Sequence, residues 1–361
     1  MPSPVSLLKL QKNSIEFEGM RVAHIYEGAA LVKVISRLEA EIKNGQHSWS
    51  EYLVAEEIKK ERHKQPNSKG ECFPTVSAFG QNGASMTYVP DNETTNIINS
   101  KSLYLIHTGG QYEKGTTQVG RTFHFGAPTN EQIEIYTQLI KGLIDFMTFV
   151  FPLGTKDIDL PHKLAIGQLY RIGLDYKYEI GHGIGSFLKF YEKPISLGSE
   201  ESRIGIPLNE GMFISLEIGY FKPNAFGMLL TNTVMVKKIA TPHQDNFLTF
   251  EPVSMFPFDM KLIQPLLLER SHINWLNKYH AKVRELLSLE LTKNNPREVS
   301  WLKSKTNKIE QNSTSNCEDL IMNSIGVQTN SKRSSSKLFS FNFIYVIIFL
   351  IGFTVLKSYQ R

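Results

Sequence analysis

SLYLIHTGGQYEKGTTQVGRTFHF, residues 102–125, decides the fold. Its two apolar runs, Ser102 to His107 and Gln118 to Phe125, are short and bounded by turn formers, so each reads as a strand. The glycine-rich interval from Gly109 to Gly120 leaves no room for a crossover helix, and strands this near in sequence pair as a hairpin rather than as a βαβ unit. Further strands are expected at Met212 to Ile218 and Met228 to Val236. Helical stripes are interspersed with them, and the class that follows is α/β of the α+β kind.

Leu31, Ile35, Leu38 and Ile42 share one helical face within residues 20–43, and Asn44-Gly45 supplies a left-handed stop. Ser48 and Glu51 have capping-box spacing ahead of a charged amphipathic segment that ends near Lys64. Thr129 and Gln132 repeat the device before a helix carrying Ile135, Leu139, Leu143 and Phe146, which Pro152 stops. A further helix is expected from Leu160 to Ile172, closed by Gly173. No internal repeat is visible.

With 361 residues, 41% of them hydrophobic, the chain can bury a large core, which excludes a disordered chain or a stapled mini-protein. The net charge of +5 is spread along the chain, and nucleic acid is not expected as a partner. Cys72 and Cys317 lie far apart without metal-type spacing, as suits a reducing compartment or indifference to redox. The opening MPSPVSLLKLQKN lacks the apolar stretch of a secretory signal.

The other end differs. LFSFNFIYVIIFLIGFTVL, residues 338–356, carries no charge, and as a helix it would be roughly 28 Å long, close to the hydrocarbon thickness of a bilayer. It is read as one C-terminal transmembrane helix, a tail anchor followed by the polar residues 357–361. Residues 309–337, rich in Ser, Asn and Thr, read as a flexible stalk that leaves the main domain, residues 1–308, facing the cytosol. A lipid-anchor signal at Ser334 to Ser336 is disfavoured because the chain ends in the polar KSYQR. Asn92 and Asn312 match a glycosylation pattern that arises by chance too often to oppose this placement.

Two places call for chemistry. In Gly181-His182-Gly183-Ile184-Gly185 the glycines set an imidazole at a tight turn, suited to a ligand or an acid/base group, although a simple turn has the same look. Glu217 lies in the apolar run FISLEIGYF, residues 213–221. A carboxylate there is costly to bury without a metal or a base, unless strand alternation turns it to solvent.

The segments His107 to Gly126, GHGIGSF from Gly181, SLEIGYF from Ser215 and AFGMLLTNTVMV from Ala225 resemble, in order and spacing, the catalytic domain of the aminopeptidase P (Xaa-Pro aminopeptidase) family. The resemblance spans residues 4–308, taking in KNSIEFEGMRVAHI, FPTVSAFGQNGA, LTFEPVSMFPFD and WLNKYHAKV. It implies a pita-bread domain of the creatinase/aminopeptidase kind, in which two similar halves enclose a dinuclear metal site, usually manganese. It also implies release of an N-terminal residue that precedes proline, through a hydroxide held between the two ions. Longer members carry one or two domains ahead of this one. This chain is expected to be either a short relative or one whose N-terminal part is missing from the sequence.

Carried over by position, the family's first aspartate ligand falls on His107, its bridging aspartate on Gln118 and its bridging glutamate on Thr231. The ligand histidine and the first ligand glutamate are retained as His182 and Glu217. Four carboxylates balance two divalent ions in the family, whereas here Glu217 alone is left, and an amide or a hydroxyl is a weak donor for a hard cation. The family's other cleft histidines fall on Thr87, Tyr178 and Tyr191. A phenol with a pKa of about 10 cannot shuttle protons at neutral pH as an imidazole does.

The resemblance therefore implies an Xaa-Pro aminopeptidase-like pseudoenzyme, membrane-tethered, acting through binding or pairing, with no catalytic residue and no cofactor expected. It would form a homodimer or pair with an active relative, or hold proline-containing peptides. The alternative is an active metalloaminopeptidase with a rearranged site, holding manganese as in the family or a single zinc on His107, His182 and Glu217.

Overall fold

The architecture is taken from a computed structural model that describes residues 3–310 apart from 47, 188–189, 199–204 and 292–295. Helices α1 (Pro4–Leu10), α2 (Ser14–Lys43) and α3 (Glu51–His63) open the chain. Six strands follow: β1 (Ser68–Glu71), β2 (Val76–Phe79), β3 (Leu103–Thr108), β4 (Gly110–Tyr112), β5 (Gly115–Thr116) and β6 (Val119–His124). Next come α4 (Asn130–Met147), β7 (Phe151–Pro152), α5 (His162–Tyr170), β8 (Gly181–Gly183) and β9 (Ser196–Leu197). The long strands β10 (Phe213–Lys222) and β11 (Phe226–Ile239) lead through β12 (Phe247–Pro252) to α6 (Arg270–Leu291) and α7 (Pro296–Lys305).

The expected hairpin is present: β3 pairs antiparallel with β6, His107 opposite Gly120, and the interval between them folds into the small ribbon β4–β5. With β2 these strands form the sheet β2-β3-β6, while the largest sheet runs β7-β12-β11-β10-β8-β9. The two sheets meet where β6 crosses β11. Gly120 N donates to Thr231 Oγ1 at 2.6 Å and Leu229 N to Thr122 Oγ1 at 2.9 Å. Gly120 is required at this crossing, since an added Cβ would sit 2.6 Å from Thr231 Cγ2.

Helix α2 starts earlier than its stripe suggests. Asn13 caps Ile15 N and Glu16 N, and Glu16 returns a bond to Asn13 N, a complete capping box. Leu31, Ile35, Leu38 and Ile42 are all buried, as expected. Gly28 admits Met255 O, which would lie 2.0 Å from a Cβ. The Thr129/Gln132 box opens α4 as predicted. Helix α5 is shorter than expected, beginning after Pro161, and Gly173 beyond it takes φ +74°.

The Ser48/Glu51 capping box does not form. Ser50 caps α3 instead, accepting from Leu53 N at 3.1 Å, because tertiary donors take the carboxylate of Glu51. That carboxylate accepts from Phe79 N, from Asn82 Nδ2 at 3.0 Å, from Tyr88 OH at 2.8 Å and from Asn96 N at 2.7 Å.

Two fully buried arginines are held in different ways. Arg62 and Glu27, both 0% exposed, join α3 to α2 through bonds of 2.9 and 2.6 Å, and Tyr112 OH adds a third donor at 3.0 Å. Arg121 has no acidic partner among the described residues. Its guanidinium donates to Gly120 O, Asn232 Oδ1, Phe256 O and Tyr279 OH, and lies 4.1 Å from the Phe258 ring centroid. These bonds staple β6 to β11 beneath the crossing point. The segment 338–356 lies outside the described residues, and among those described no helix is long and apolar enough to cross a membrane.

Candidate functional site

The crossing of the sheets brings four of the five carried-over positions together. His107 is the penultimate residue of β3, Gln118 precedes β6, His182 is the middle residue of β8, and Glu217 lies in β10. Register sets the faces: Glu217 is opposite Thr231 across β10 and β11, and His182 is opposite Ser215 across β8 and β10. All four side chains are buried, so alternation does not turn Glu217 to solvent.

Gln118 joins the others. Its Nε2 lies 2.7 Å from His107 Nε2 and 2.8 Å from Glu217 Oε1. An amide nitrogen only donates, so His107 Nε2 must be the unprotonated nitrogen of a neutral ring. The reversed amide would set its oxygen against the Glu217 carboxylate, so hydrogen-bond chemistry fixes the orientation. His182 Nδ1 is 2.9 Å from Gly183 O, and its Nε2 comes within 3.0 Å of Glu217 Oε1 without aligning as a hydrogen bond.

Electrostatics agree with this arrangement. Burial pushes the His107 pKa down and keeps that ring neutral. Burial works against ionisation of Glu217, but His182 and the Gln118 amide outweigh it and lower its pKa to about 2. Glu217 is thus an anion held by the Gln118 amide, with the His182 ring beside it.

Thr231 turns its hydroxyl to the backbone of Gly120 and does not join the cluster. Tyr191 does reach it, stacking on His182 with centroids 3.7 Å apart, and burial raises its phenol pKa to about 12. Tyr178 is exposed and packs on Tyr176 and Phe221, and Thr87 sits exposed in the loop after β2. Sequence reading missed Phe73, which lies 4.8 Å from His107 by ring centroids, and Phe190, which meets His182 edge-on at 4.9 Å. Phe73 stood in the quoted FPTVSAFG segment but carried no polar signal.

A metal pair fits these residues poorly. The NH2 of Gln118 stands between His107 and Glu217, where a cation would need lone pairs, and the bridging position at Thr231 is committed as an acceptor. A single zinc on His107, His182 and Glu217 meets the same obstacle: His107 reaches Glu217 only through the amide. Among the described residues no group of three or more His, Cys, Asp or Glu side chains is placed to hold a metal ion.

Residues 18–238 match metallopeptidase family M24, and residues 246–309 match the C-terminal region of peptidase M24. A probable Xaa-Pro aminopeptidase P of Sclerotinia sclerotiorum is 39% identical over 303 residues, 83% of this chain and 50% of that protein. Its counterpart in Neosartorya fischeri is 40% identical over 284 residues, 78% and 43% of the two chains. The solved X-prolyl aminopeptidase of Caenorhabditis elegans, described as a cytosolic enzyme with a di-nuclear active site, has a TM-score of 0.81 at 30% identity, covering 85% of this chain and 50% of its own. A prolidase from Pyrococcus furiosus, 21% identical with a TM-score of 0.54, covers 69% and 66% and shares the fold. The chain spans about half the length of the curated relatives it matches. With the pita-bread fold, the order of segments and these matches in agreement, the chain belongs to the aminopeptidase P family of M24 metallopeptidases.

Proposed function

We propose that this chain is an Xaa-Pro aminopeptidase-like pseudoenzyme, which keeps the family's cleft for proline-containing peptides or for pairing and does not hydrolyse. One observation carries the reading: Gln118 Nε2 binds His107 and Glu217 at once, so an amide donor fills the place where the chemistry needs a bridging carboxylate and a cation. In this reading the partner is a second copy of the chain or an active relative, the stalk is 309–337, and residues 338–356 tether a cytosolic domain to a membrane.

The test is metal analysis of the full chain after equilibration with Mn2+ or Zn2+, together with a proline-containing peptide assay. The expectation is less than stoichiometric metal and no turnover. Stoichiometric metal with activity that disappears in His182→Ala supports the rival reading, an active metalloaminopeptidase like the enzymes named among its relatives. Truncation after Lys337 tests the tether: the shortened chain is expected in the soluble fraction, and pelleting with membranes would refute the anchor.

A further inference from the structure

The rings over His182 belong to a segment that a distant lysine holds in place. Tyr191 and Phe190 cover His182, and Phe190 also packs on Phe73 at 4.4 Å, extending the cover towards His107. The next residue, Glu192, forms an ion pair with Lys12 from the α1–α2 connection, their side chains 8% and 1% exposed. Two backbone bonds complete the attachment: Glu192 N donates to Gly183 O at 2.9 Å and Gly183 N to Ile195 O at 3.3 Å, beside His182.

Lys12 is fixed in turn. Its Nζ donates to Leu10 O at 3.2 Å and its backbone N to Gly211 O at 3.1 Å. Helix α1 has little packing of its own: Leu10 is its buried residue, while Val5, Leu7 and Leu8 are exposed. A buried ammonium and a buried carboxylate each need the other, so parting them favours a hydrated, open arrangement of both segments.

We propose that residues 4–12 are a strap, and that the Lys12–Glu192 pair holds the Phe190–Tyr191 cover closed over His182 and Glu217. Release of the strap lifts the cover and admits ligand to the inner site. The inference does not rest on the non-hydrolytic reading, because a covered site can be inert or active.

The test is hydrogen exchange on the full chain, with diethyl pyrocarbonate labelling of His182 as a second readout. In Lys12→Met the amides of Glu192 and Gly183 are expected to exchange about ten-fold faster or more, and His182 to label faster, with Ile218 and Leu230 unchanged. The reciprocal swap, Lys12→Glu with Glu192→Lys, is expected to restore protection, and Glu192→Gln supplies a second opening variant should Lys12→Met not fold. Exchange within two-fold of wild type in the opening variants overturns the strap. So does acceleration that extends equally to Ile218 and Leu230, or a swap that restores nothing. None of these readouts involves metal or turnover, so this inference and the proposed function can fail separately.

Discussion

Glu27 and Glu217 are both buried acids, yet their surroundings differ in kind. Glu27 faces the permanent charge of Arg62 and the hydroxyl of Tyr112, a closed set that ties α2 to α3 and β4. Glu217 faces two imidazoles and the amide of Gln118, none of them a permanent charge. The first cluster is built to be permanent. On the reading proposed above, the second is a metal cage converted to hydrogen bonds, and is the more easily rewritten.

The largest effect should come from reversing that conversion. The triple variant His107→Asp, Gln118→Asp, Thr231→Glu crowds new carboxylates around Glu217. Without metal its melting temperature is expected to fall on the order of 10 °C, and Mn2+ should restore it. A variant indifferent to Mn2+ in calorimetry means that more than these three positions separates the site from a metal centre.

Next in size, Arg62→Met should cost about 3–5 kcal/mol in urea unfolding, because it leaves Glu27 buried and unpaired. Glu217→Gln should cost about 1–2 kcal/mol, since an amide can keep part of the hydrogen bonding. Equal losses would erase the distinction between the clusters.

Acid should act through the buried neutral histidines of both regions, and His24 isolates the Glu27 side. His24, one turn before Glu27 in α2, is fully buried, and burial lowers its pKa to about 4. The unfolded chain takes up a proton near pH 6.5 and the folded chain refuses it until about pH 4. The share of stability that His24 contributes is therefore complete above pH 6.5 and falls as pH drops through that window, by about 1.4 kcal/mol per unit. Denaturant titrations of wild type and His24→Gln should differ in slope there, and equal slopes refute the assignment.

The smallest effect concerns a helix end. Ser50→Ala should lose about 1 kcal/mol of stability and Ser48→Ala almost none, as read from unfolding midpoints.

That pair also marks the limits of sequence reading. The hairpin was legible because turn formers and strand runs are local, and β3 and β6 lie within a residue or two of the expected positions. The Ser48/Glu51 box was misread because capping chemistry assumes a free glutamate, and Phe79, Tyr88 and Asn96 claimed it. The true start of α2 was visible in Asn13 and Glu16, a box that could have been found. At the site, the resemblance picked out the positions, but the consequence of substitution was geometric: nothing in the text states that Gln118 would reach both His107 and Glu217. The Lys12–Glu192 pair joins residues 180 positions apart and left no local pattern.

Glu51 has one more consequence. The stretch after β2, through Thr87 to Asn96, has hardly any regular structure, yet a single carboxylate rivets it at both ends and in the middle. A protease would meet it as though it were part of a sheet, and Glu51→Gln should turn the same stretch into the first place the domain is cut.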